Sequence, residues 1–167
     1  MATPNPDHLF EQADKLIGGA GRPRQVDLRR AVSSSYYGLF HAILTAAADE
    51  AVGSTLRSTP SYSLAYRSID HRALRSLCAE IQKPMLPAKY RRYAPSGGFS
   101  RFMREFAASV VELQDARYAA DYDPLSFLRR SDALLAVRMA RRAVGRFKRA
   151  QARSRKAFLA LLLFPPR

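Results

Sequence analysis

RRAVSSSYYGLFHA, residues 29–42, reads as helix from end to end and decides the fold class. With its flanks it places Leu28, Val32, Tyr36, Leu39/Phe40, Ile43 and Ala47 at steps of three and four, the spacing of one face of a helix. A core-facing helix from Asp27 to about Val52 is predicted. Ser33, Ser34 and Ser35 are small, so a neighbouring helix can approach closely there. A second stretch, DARYAADYDP at residues 115–124, ends another helix with Arg117, Asp121 and Tyr122 just before Pro124. If the two helices pack antiparallel, Arg30 lies beside Asp121. The pair is then a clamp that fixes register or, opened to a cleft, a site where Arg30 and Arg117 receive a phosphate and Asp121 orients them.

Working outward, Pro6 and Asp7 start a helix that Gly18-Gly19 stops. After the turn-rich GSTLRSTPSY, a helix from Tyr62 or Ser68 to Gln82 buries Ile69, Leu74, Leu77/Cys78 and Ile81, with Asp70 able to cap a break within it. Pro84, Pro87, Pro95 and Gly97-Gly98 argue for a loop. A fourth helix is predicted from Phe99 to about Ala120. A fifth starts near Ser126, with Phe127, Leu128, Leu135, Met139, Ala143 and Phe147 as its apolar stripe. No strand-like alternation occurs, so the expected fold is all-α, an antiparallel bundle of four to five helices. The expected division is a bundle over residues 1–150 and a basic, then apolar, extension over 151–167.

A chain of 167 residues fits one domain with a real core. Cys78 is alone, the N-terminal residues show no secretory pattern, and the longest apolar run, Ala157 to Pro166, is short of the roughly 20 residues that span a bilayer. A soluble cytoplasmic protein with no membrane association is the expectation. The formal charge is +14, and residues 125–167 carry +11 of it, with Asp132 the one acid after Pro124. Such a block favours an anionic partner or serves only to solubilise. Arg138, Arg142, Arg149, Arg153 and Lys156 share one side of a continuing helix by their spacing, and Arg142, Arg149 and Arg153 become candidate nucleic-acid contacts. ALLLFPPR at the end would dock back or meet a partner chain.

Among the other candidates, Tyr36 and Phe40 read as core, whereas Tyr37 falls off the apolar stripe and is available to a ligand. His41, one turn beyond Tyr37, is the neutral-pH proton carrier of its segment and a weak catalytic candidate. His8, His41, His71 and Cys78 share no metal-ligand spacing, the three serines lack a nucleophile-elbow context, and no P-loop or Rossmann glycine string is present. No metal and no cofactor are expected.

Arg30, Ser34, Tyr36, Tyr37, Phe40 and His41 in one helix, with Arg117, Asp121 and Tyr122 in another, make roughly residues 7–150 resemble the small prokaryotic members of the HEPN superfamily. The resemblance implies an all-α, homodimeric domain that binds a nucleotide or RNA, with a nucleotidyltransferase or an antitoxin as possible partner. Many members are ribonucleases with an arginine followed, after four to six residues, by a histidine. This chain departs from that pattern: Arg67 precedes His71 by one residue too few, and Arg30 stands much too far from His41. The expected function is therefore nucleotide or RNA binding without an intact ribonuclease motif at Arg30, Tyr37, His41, Arg117, Asp121, Tyr122, Arg142, Arg149 and Arg153. Two alternatives stand beside it: a metal-independent ribonuclease toxin with a displaced site built from His41, Arg30 and Arg117, and a protein-interaction adaptor for a nucleotidyltransferase.

Overall fold

Between Ala31 and Phe40 every residue but Tyr37 is buried, so the helix read first from the sequence is enclosed on nearly all sides. A helix that is apolar or small all round belongs at the centre of its bundle. The computed structural model, which describes residues 4–19 and 21–166, places it there. This helix, α2 (Gln25–Ala51), packs against α1 (Pro6–Gly18), α3 (Pro60–Arg67), α6 (Arg101–Tyr122), α7 (Arg130–Arg149) and α8 (Ala152–Leu163). The small residues admit those neighbours. Ser33, Ser34 and Ser35 are all buried, and a Cβ on Gly38 would come within 2.6 Å of the Phe10 ring of α1. The close approach expected at the three serines is present.

The described residues form eight α-helices and no strand, completed by α4 (His71–Ile81) and the short α5 (Ala88–Arg91). The all-α expectation holds, and the larger number of helices has local causes. The third predicted helix is two: α3 starts on Thr59, whose Oγ1 accepts from the Tyr62 amide, and α4 on Asp70, whose carboxylate accepts from the Ala73 amide at 2.7 Å. The proline-rich stretch holds the single turn of α5 between Pro87 and Arg92. The fifth helix begins at Arg130 rather than near Ser126, because Asp132 reaches back to the Arg129 amide at 2.7 Å and sets the start there.

The continuous basic helix also needs correction. α7 ends at Arg149, Ala150 is extended (φ −60°, ψ 148°), and α8 begins at Ala152. Arg153 and Lys156 therefore ride on a different helix from Arg138, Arg142 and Arg149. The expected one-sided row of five cations does not form. Arg155 stabilises the break, donating to the carbonyls of Lys148 at 2.9 Å and Ala150 at 2.5 Å. Beyond it the apolar end docks back: Phe158, Leu159, Leu161 and Leu162 are buried, and Phe158 meets Phe106 and Phe147 edge-on. Residues 152–163, at the start of the expected extension, thus contribute to the same core as the rest. No helix among the described residues is long and apolar enough to cross a membrane.

Candidate functional site

The C-terminal half of α6 delivers Arg117, Asp121 and Tyr122 to Tyr37, the one residue between Ala31 and Phe40 of α2 that is not buried. The Arg117 side chain is 15% exposed. Its Nη2 donates to the Tyr37 hydroxyl at 2.6 Å, and its guanidinium carbon lies 5.3 Å from the Tyr37 ring centre and 5.4 Å from that of Tyr122. The Asp121 Oδ2 sits 2.7 Å from Arg117 Nε. That Nε is nevertheless buried without a hydrogen-bond acceptor, so the two charges touch without a directed bond and one donor of the fork stays unused. The other Asp121 oxygen accepts from Ser33 Oγ. Burial opposes the Arg117 charge, but Tyr37 and Asp121 more than offset it and raise its pKa.

Two histidines flank this cluster. α4 begins with His71, whose Nδ1 is 2.8 Å from the Tyr36 hydroxyl and whose ring centre is 4.0 Å from that of Phe40. His41 lies one turn past Tyr37, its Nδ1 2.6 Å from the Tyr66 hydroxyl of α3. Both rings pack near Tyr37, at centroid distances of 6.5 Å for His41 and 5.7 Å for His71. Burial lowers the pKa of each below the ordinary histidine value, and for His71 the positive Arg117 adds to the effect. Both imidazoles are thus mainly neutral at pH 7. Outside the cluster, Tyr118 and Tyr122 present an aromatic pair to solvent, their ring centres 5.1 Å apart.

The structure therefore brings together Tyr37, His41, Arg117, Asp121 and Tyr122, and it separates the remaining candidates from them. Arg30 does not clamp Asp121. It is exposed, and among the described residues it has no hydrogen-bond or ion-pair partner, although both line a surface groove of about 480 Å³. The clamp is Arg29, one residue earlier and therefore turned about 100° around the helix. Its guanidinium donates to the carbonyls of Ala120 at 3.0 Å, Asp123 at 2.9 Å and Ser126, which the end of α6 and the following turn leave without helical donors. Arg142 lines a groove between α6 and α7, Arg149 lies over Phe102, and Arg153 bonds Gln151 at the start of α8.

Sequence reasoning passed over His71, Tyr66, Ser33 and Arg29. For His71 the one local signal was its place directly after a helix-capping aspartate; its meeting with Tyr36 depends on how α4 docks. Among the described residues no three His, Cys, Asp or Glu side chains converge on a metal-sized site. Comparison with family models, curated proteins and solved structures finds no match for this chain.

Proposed function

We propose that this chain is a HEPN-like domain that binds RNA or a nucleotide on the face shared by α2, α4 and α6. The observation that carries the reading is Arg117: a mostly buried cation flanked by the Tyr37 and Tyr122 rings and balanced by Asp121, beside an exposed tyrosine pair. Guanidinium forks suit phosphate oxygens, and exposed tyrosine rings suit unstacked bases. Arg30 adds an exposed cation, without a partner among the described residues, along the neighbouring groove, and a net charge of +14 draws polyanions from a distance. Homodimerisation and a nucleotidyltransferase or antitoxin partner belong to the same proposal through the resemblance.

The test is fluorescence anisotropy with a labelled oligouridylate. Tyr122→Ala and Arg117→Gln should each weaken binding about tenfold, the scale of one lost base stack or charged phosphate contact. Tyr37→Phe, which removes only the hydroxyl that holds Arg117, should lose less. Unchanged affinity in all three folded variants would overturn the site.

The second histidine favours a further reading, metal-independent cleavage of RNA. Both Nδ1 atoms are occupied by tyrosine hydroxyls, and among the described residues neither Nε2 has a partner. One neutral imidazole would take the proton of a ribose 2′-hydroxyl as it attacks the adjacent phosphorus. The other, protonated, would give a proton to the departing 5′-oxygen, leaving a 2′,3′-cyclic phosphate, while Arg117 balances the charge on the phosphorane. Because burial holds both histidines below their ordinary pKa, the profile of rate against pH should peak on the acid side of neutrality. His41→Gln and His71→Gln should each abolish cleavage while leaving binding. RNA that is bound but never cut between pH 5 and 8 would leave the binding reading alone.

A further inference from the structure

Away from that face, α6 and α7 pack side by side with opposite charges on their facing edges. Glu105 and Arg146 meet at 3.1 Å, and Arg146 also reaches Ser109 Oγ at 3.3 Å. Continued in the same antiparallel register, Glu112 of α6 comes opposite Arg138, Met139 and Arg142 of α7. There the charges do not meet: Glu112, Arg138 and Arg142 are exposed, and among the described residues none has an ion-pair or hydrogen-bond partner. Between them lies an open groove of about 390 Å³ whose lining includes Ala108, Leu135 and Met139, with Leu135 59% exposed.

We propose that this groove is a docking site for an amphipathic helix of a partner protein, one with an apolar ridge and an acidic flank. The groove sets Arg138 and Arg142 of α7 across from Glu112 of α6, with apolar surface of Ala108, Leu135 and Met139 among them, and a helix is the element that presents a ridge between two flanks. The ridge covers Leu135 and Met139, and the acidic flank pairs Arg138 and Arg142. A basic residue on the other flank answers Glu112. Flanking charges of this kind choose a partner by attraction on one side and repulsion on the other. A nucleic-acid strand is a poorer fit, because it would set phosphates against Glu112 and finds no aromatic ring among the lining side chains for its bases to stack on. The proposal stands apart from the RNA-binding reading, whose residues lie on another side of α6.

The experiment uses the full chain and a stapled helical peptide of about four turns, long enough to cover the groove and held helical in isolation. It carries leucines on one stripe, glutamates on one flank and lysines on the other; a control peptide has lysines on both flanks. By fluorescence anisotropy the protein should prefer the mixed peptide about tenfold, the worth of a pair of partly exposed charge contacts. Arg138→Glu/Arg142→Glu should reverse that order. These positions are exposed, and a melting curve verifies the fold. Glu112→Lys supplies a second variant: it should weaken the mixed peptide but not one with glutamates on both flanks. Equal affinities throughout would overturn the proposal. So would displacement of the peptide by an oligouridylate at equal concentration, which gives the groove to RNA. A change in sedimentation mass of the protein alone on charge reversal would give it to a second copy of the chain and likewise end the proposal.

Discussion

Arg29→Ala is expected to destabilise the protein by about 2–3 kcal/mol, whereas Arg30→Ala, one residue on, should cost less than about 0.5 kcal/mol. The Arg29 guanidinium holds the carbonyls of Ala120, Asp123 and Ser126 at once. Removing it strands the part-buried carbonyls of Ala120 and Ser126, whereas the exposed Asp123 carbonyl keeps the Ser126 amide as donor, and each stranded acceptor costs more than the average net worth of a hydrogen bond. Arg29→Lys keeps the charge but loses the planar fork, so it should recover no more than about half. Urea melts of the three variants with a common m value make the comparison. Equal losses at the two positions would mean that the register of α2 against α6 is not the one described. The same anchor fixes the segment that carries Asp121 and Tyr122, so under the proposed function Arg29→Ala should also weaken RNA binding without touching RNA.

The difference between Arg29 and Arg30 marks how far the sequence could be read. Three- and four-residue spacing identified α2, and the meeting of its N-terminal half with the end of α6 was legible from two polar segments in apolar helices. Which arginine turns inward was not. That choice rests on a rotation of about 100°, smaller than the width of the apolar stripe from which orientation was judged. Tyr37 was legible for the complementary reason: it lies off the stripe, and it is the one residue between Ala31 and Phe40 that is not buried.

Charge was legible in amount and misleading in use. The surplus after Pro124 suggests a free basic face, yet several of its members are spent on architecture. Arg155 caps the end of α7, Arg141 pairs with Asp14 at 2.6 Å, Arg146 with Glu105, and Lys156 with Glu50 at 3.7 Å. Among the described residues Arg138 and Arg142 have no ion-pair partner, and they lie across a groove from Glu112. A cation count cannot separate these roles, because the acids that neutralise the C-terminal basic residues come from α1, α2 and α6. The break at Ala150 was hidden for a related reason. No proline or glycine marks it, and the helix stops where Arg155, five residues later, supplies a cap and Phe158 gains a place in the core.

That place in the core sets the second large effect. Phe158→Ala should cost about 3–5 kcal/mol, the range for deleting a fully buried aromatic side chain. Phe158 is 0% exposed, and its ring stands edge-on to Phe106 of α6 at 5.6 Å and to Phe147 of α7 at 6.1 Å. Phe106 and Phe147 are themselves 5.2 Å apart, so the three rings lock α6, α7 and α8 at a single point. Neither neighbouring ring can collapse into the space without leaving the other, which places the loss in the upper part of the range. Phe106→Ala and Phe158→Ala should then fall short of additive when combined, since the second deletion enlarges a cavity already open. Denaturant melts of the two single variants and the double one measure both quantities. A loss below about 1 kcal/mol for Phe158→Ala would mean that α8 unfolds ahead of the rest, and Arg153 and Lys156 would then be free to reach an anionic partner as an independent basic arm.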